Sequence, residues 1–172
     1  MREMARANRA FMGRASATWS RRWASARSST SAPASPPAPT STRSHPTLTR
    51  TLDLRQPVAA VLVGVLMYFR DSDDPSPFEM VATIMEAVPS GSYLAITHPT
   101  PDFNPEETAK AAGAAEAAGI TLVPRTKAEV ERFFTGLELV DPGMAPMLAW
   151  RPAGPPADPQ AAYYWAGVAR KP

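Results

Sequence analysis

Apolar residues follow two rhythms along this chain, continuous runs and helical spacings, and from Thr51 onward the two take turns. The longest run, Val58–Phe69, is entered through Arg55-Gln56-Pro57 and left through Arg70-Asp71-Ser72-Asp73-Asp74-Pro75. Its β-branched content and polar bounds predict a strand over about 59–68, buried on both faces of a helix-covered parallel sheet. Phe78, Val81, Ile84, Met85 and Val88 then share one face of a helix over about 77–88. Asp73 or Asp74 is its expected N-cap, and Pro89-Ser90-Gly91 ends it. Residues 92–97 read as a second strand. Asn104-Pro105-Glu106-Glu107 opens an Ala-rich helix that Gly119 closes. Thr126, with Glu129 at capping-box spacing, opens another through Phe134, and Gly136 closes it. Three shorter stretches, 137–140, 147–151 and 163–169, read as strands. The order β-α-β-α-α-β-β-β predicts an α/β fold with a late antiparallel strand pair.

The first fifty residues lack this rhythm. Met4, Ala7, Phe11 and Ala15 recur at helical spacing, so a short helix is expected over 2–17. From Ser20 to Pro46 the chain is Ser, Thr, Ala, Pro and Arg, with little to bury, and disorder is expected. The expected division is a basic arm at 1–50 and a folded domain at 51–172.

Charge sharpens that division. Residues 1–50 carry nine arginines and one acid, Glu3, whereas 51–172 carry nine basic and fifteen acidic residues. The sequence pI of 9.2 therefore belongs to the arm. Absence of cysteine excludes disulfides, thiolate catalysis and iron–sulfur clusters. Only His45 and His98 are imidazoles, so no metal site is expected. The longest apolar run is short of the roughly 20 residues that cross a bilayer. With no apolar signal segment near Met1, a cytoplasmic location without membrane contact is expected.

Ligands of open α/β sheets bind beyond the carboxyl ends of the strands. That rule points to 67–74 as the ligand-facing stretch. Asp71, Asp73 and Asp74 lack the glycine and distal glutamate of a calcium loop, and read as helix-start caps. His98, at the carboxyl end of the second strand, is the candidate general base, against the plainer reading of a hydrogen-bonded loop residue. Trp150 and Tyr163-Tyr164-Trp165 are expected to divide between core and surface.

Several short motifs occur in a telling order. They are Thr51-Leu52-Asp53-Leu54-Arg55-Gln56-Pro57-Val58-Ala59, Leu66-Met67-Tyr68-Phe69 and Asp73-Asp74-Pro75. Val88-Pro89-Ser90-Gly91-Ser92-Tyr93-Leu94, Thr97-His98, Thr126-Lys127-Ala128-Glu129-Val130 and Phe133-Phe134 follow. In this pattern residues 46–172 resemble an uncharacterised bacterial family of S-adenosyl-L-methionine (SAM) methyltransferases, and Arg6–Ala15 resembles the family's helix ahead of its first core strand. The resemblance implies the C-terminal portion of a Rossmann-like methyltransferase sheet. It implies SAM as cofactor, with Met67, Tyr68 and Phe69 beside its adenosine or sulfonium, where an aromatic face favours a cation. For Tyr68 and Phe69 the other reading is core plugs beneath the following helix. It places His98 where the family has a histidine.

The family's first strand should end in a glycine-rich loop and its second in an acidic residue on the ribose. The chain has no G-x-G and no strand-like segment between Ala17 and Pro46. If Ser28–Pro36 use TCN, ACN, GCN and CCN codons, reading one base earlier permits F-L-D-I-G-T-G-I-P, which is similar to that loop. Residues 17–44 are therefore read as an out-of-frame translation, and the domain as truncated.

Three functions follow as expectations. The first is a SAM-dependent methyltransferase acting on an unknown methyl acceptor, with SAM as its small-molecule cofactor. The alternative is a non-catalytic methyltransferase remnant or interaction module. The weakest is nucleic-acid binding through the arm, with Trp19 and Trp23 stacking. A truncated sheet also leaves the edge near 59–68 open, so self-association through it is expected.

Overall fold

A computed structural model describes residues 2–28, 55–154, 158 and 160–172. Among these residues, five strands form one mixed sheet in the order β1-β2-β5-β3, with β4 also on β5. The strands are β1 (Ala59–Val63), β2 (Tyr93–Pro99), β3 (Glu138–Leu139), β4 (Ala145–Pro146) and β5 (Tyr164–Arg170). The helices are α1 (Arg2–Ser28), α2 (Pro77–Glu86), α3 (Pro105–Ala117) and α4 (Lys127–Glu131). β1 and β2 are parallel and joined through α2. β5 lies antiparallel beside β2, from Tyr93 opposite Arg170 to Pro99 opposite Tyr164. The late antiparallel pairing is thus present, with β5 also pairing β3 and β4 antiparallel.

β2 is the axis of the molecule, with all seven of its residues buried. Alternation sends Tyr93 and Ala95 to one face and Leu94 and Ile96 to the other. The first face packs Phe11 and Ala15 of α1 with Met147, Trp150, Tyr164, Ala166 and Val168. The second packs Leu66, Val81, Met85, Val130, Phe133 and Phe134.

α1 is longer than the helix expected over 2–17. It continues to Ser28, so the expected disorder does not hold for residues 20–28. Its anchor is tertiary. The Arg14 guanidinium donates to the carbonyls of Trp150 (2.7 Å) and Met147 (2.9 Å), and Phe11 meets Trp150 edge to face. Burial pushes the Arg14 pKa down. Residues 29–54, with most of the expected disorder and of the out-of-frame reading, lie outside the described residues.

The strand expected over 59–68 stops at Val63 and stands at the sheet edge, not between helices. Val61 is 40% exposed. Gly64 ends the strand by adopting φ 64°, left-handed backbone that carries no strand onward. A single 3₁₀ turn, Leu66–Tyr68, follows. α2 is capped by Ser76, not by Asp73 or Asp74. Ser76 and Glu79 form a reciprocal capping box ahead of Pro77, and those bonds pull the Glu79 carboxyl below its usual range. The expected caps at Asn104 and Thr126 are present.

No strand forms over 147–151. Proline at 142 and 146 and positive φ at Gly143 and Arg151 turn the chain there, and the carbonyls of Met147 and Trp150 go to Arg14 instead. Trp150 is fully buried, Tyr164 is buried and Tyr163 exposed. Among the described residues no helix is long and apolar enough to cross a membrane.

Candidate functional site

The turn after β1 is short and its side chains diverge. Leu66 plugs the core, whereas Tyr68 is 47% exposed. Met67 and Phe69 are half-buried. The Met67 sulfur accepts the Tyr164 hydroxyl at 3.5 Å, and the Met67 carbonyl accepts the Val123 N–H at 2.8 Å. Burial, with Tyr68 nearby, pushes the Tyr164 phenol up to about 12. Of the three residues expected beside a cofactor, Tyr68 is the one that offers an open aromatic face at the strand end.

His98 lies inside β2, not beyond it, and its ring is fully buried. Nδ1 is 3.0 Å from the Pro99 carbonyl. Nε2 is 2.8 Å from Nη1 of Arg125. A guanidinium only donates, so Nε2 is the acceptor and Nδ1 carries the proton. Burial first, and the Arg125 charge second, outweigh the Pro99 bond and push the imidazole down to about 4. At neutral pH His98 is a neutral ring with both nitrogens engaged.

Arg125 is the residue that sequence reasoning missed. It is 2% exposed and sits just before the α4 cap at Thr126. Its five N–H groups all find acceptors. Nη1 donates to His98 Nε2 and to the Leu66 carbonyl (3.2 Å). Nη2 donates to the Phe69 carbonyl (2.9 Å) and to Asp71 Oδ1, which Nε also reaches at 3.2 Å. The cation also lies 5.7 Å from the Phe78 ring centre and 5.5 Å from that of Phe133, two rings stacked on each other.

One side chain thus holds both ends of the segment 66–71 and ties it to β2. Asp71 is spent on this ion pair. Asp73 accepts the Arg70 N–H at 2.7 Å. Asp71 and Asp73 therefore shape the loop, and Asp74 is exposed. No sequence motif marks Arg125 as buried; its acceptors come from Leu66, Phe69, Asp71 and His98, far away along the chain.

α1 reaches the same strand ends. Asn8 Oδ1 accepts the buried Thr97 hydroxyl at 3.0 Å, and a Cβ at Gly64 would stand 3.6 Å from Asn8 Nδ2. The segment after α3 closes the other side, with Arg125 N–H donating to the Pro99 carbonyl. The carboxyl ends of β1 and β2 are therefore a pre-shaped rim, built from the 66–71 loop, Thr97 and the chain around 123–125.

Known proteins are similar to this chain in sequence and fold. A family pattern described as S-adenosyl methyltransferase matches residues 30–172. A solved protein of the DUF574 family from Streptomyces avermitilis is 37% identical with a TM-score of 0.69, over 74% of this chain and 49% of its own. A Thermobifida fusca protein assigned as a methyltransferase is 32% identical with a TM-score of 0.63, over 74% of this chain and 48% of its own. The chain spans about half the length of these two solved proteins. No protein of curated function matches it. A family match over most of the sequence, together with these similar folds, makes this chain a member of the S-adenosyl methyltransferase family.

Proposed function

We propose that this chain carries one wall of a SAM-dependent methyl-transfer site, at the carboxyl ends of β1 and β2. The observation that carries the reading is the family match over residues 30–172, joined to an exposed Tyr68 on a loop pinned from behind by Arg125. Methyl transfer needs orientation and a suitable field more than a protein-borne nucleophile. When bound, SAM supplies a methyl group activated by its sulfonium.

The chain's own groups fit that cofactor on one side. The Tyr68 ring offers a face for the sulfonium or adenosine, with Phe69 and Met67 half-buried beside it. The chain has no G-x-G of the kind expected in a glycine-rich cofactor loop. Arg125 fixes the loop, and His98 serves as its acceptor. We therefore assign His98 a positioning role in place of the general base expected from sequence. Photocrosslinking of labelled SAM, followed by peptide mapping, tests the wall. Label on the peptide holding Met67, Tyr68 and Phe69, reduced in Tyr68→Ala, supports it; label that maps elsewhere contradicts it.

The absence of G-x-G favours a second reading, a methyltransferase scaffold kept as a non-catalytic module. It is the reading to adopt if the folded chain leaves SAM and S-adenosylhomocysteine unbound.

The open edge bears on partners. Tyr93 N–H donates to the Val58 carbonyl and Gly64 N–H to the Thr97 carbonyl, so the even-numbered residues face β2. Ala59, Val61 and Val63 then turn their backbone groups outward, and among the described residues no strand covers them. We propose self-association through this edge. Sedimentation of the wild type should show dimers or larger species, and Val61→Lys should shift them towards monomer. A wild-type monomer at all concentrations would refute it.

A further inference from the structure

Beside the candidate cofactor wall lies a cavity of about 580 Å³, between α3 and residues 119–123. Its α3 side is Ala109, Ala112, Gly113 and Glu116, and Arg70 also lines it. The backbone of Arg70 is held on both of its polar groups. Its N–H donates to Asp73 Oδ2 at 2.7 Å and its carbonyl accepts the Asp73 N–H at 3.1 Å. The residues on both sides of it are held by Arg125. Its guanidinium, in contrast, has no hydrogen-bond or ion-pair partner among the described residues, and neither has the Glu116 carboxylate. Two opposite charges line one cavity and do not pair with each other. The α3 wall is made of small side chains, and a Cβ at Gly113 would meet nothing within 4 Å. The α3 wall therefore leaves room for a ligand beside Gly113.

We infer that this cavity binds a small zwitterion, with its carboxylate on Arg70 and its amine on Glu116. A simple anion would gain Arg70 but meet the Glu116 charge, and a simple cation the reverse. A ligand carrying both charges satisfies both ends. The fixed backbone under Arg70 lowers the ordering cost of holding it. The inference does not depend on SAM binding, because it rests on charges and space outside the Met67–Phe69 wall.

The test is calorimetric titration of the full chain with 4-aminobutyrate, butyrate and butylamine in low salt. The zwitterion should bind about fivefold tighter than either singly charged analogue, in keeping with one exposed ion pair. Arg70→Gln and Glu116→Gln should each remove that preference. Ala112→Leu, which fills the cavity without touching a charge, should abolish binding. Equal affinity for the three probes, no binding of any, or zwitterion binding unchanged in Arg70→Gln would overturn the inference. SAM titrated in parallel separates this site from the cofactor wall, since either can fail while the other stands.

Discussion

The inner and outer sides of the loop after β1 treat the same residue type in opposite ways. On the inside, Arg125 is buried and every N–H it owns is taken. On the outside, Arg70 is exposed and its guanidinium has no partner among the described residues. A buried cation is tolerated only when its donors are satisfied, so Arg125 reads as structure. An exposed cation on a fixed backbone, without a side-chain partner among the described residues, costs little and keeps its donors for something else, so Arg70 reads as recognition. The contrast gives the loop two jobs, held shape behind and open chemistry in front.

The largest way to break that contrast is Arg125→Met. It strands the carbonyls of Leu66 and Phe69, the Nε2 of His98 and the Asp71 carboxylate together. A loss of about 4 kcal/mol is expected in urea unfolding, less any relief from water reaching the half-exposed Asp71. A loss under about 1 kcal/mol would show that the clasp is ornamental.

Acid should act on the same clasp through His98. Its folded pKa, about 4, lies below its ordinary 6.5, so the neutral ring is the form the fold prefers. The sign follows from proton uptake by the unfolded chain. The contribution is complete above pH 6.5, falls as pH drops towards 4, and is flat below that. The full swing is on the order of 3 kcal/mol, read as a falling urea midpoint. In His98→Gln the slope should flatten over that window; an unchanged slope would assign it to other groups.

Asp71→Asn is expected to cost about 2 kcal/mol, because the carboxylate is half exposed and water partly replaces it. Arg70→Gln is the smallest change. Its stability should stay within about 0.5 kcal/mol of wild type, as for a surface side chain with no partner among the described residues. A larger loss would mean that Arg70 is structural after all, and the contrast would fail.

Much of this fold was legible where local chemistry decides it. Asn104-Pro105 and the Thr126–Glu129 pair mark helix starts by capping, and Gly119 and Gly136 take the positive φ that ends them. The Ser76–Glu79 box was equally present in the sequence, but the nearby aspartates drew the cap assignment to themselves. Their true partners, Arg125 and the Arg70 N–H, are set by tertiary placement or by the turn. The long apolar run spoke for burial, yet only sheet order tells an edge from a centre, and β2 took the centre. α1 runs on to Ser28 although its later residues look unstructured by composition, because Phe11, Ala15, Thr18 and Trp19 dock against the 147–151 turn and Tyr93. For the site proposed above, the sequence drew attention to the loop after β1. It named the exposed ring of Tyr68 and the histidine, but not the arginine between them, whose role exists only once distant carbonyls converge.

The central claim is that the clasped loop is one wall of a SAM site. Calorimetric titration of the intact chain with SAM, with S-adenosylhomocysteine in parallel, tests it most directly. The account predicts saturable binding that weakens about tenfold in Tyr68→Ala, with an unfolding midpoint equal to wild type. A folded chain that binds neither ligand would contradict it, and leave a methyltransferase scaffold without its cofactor.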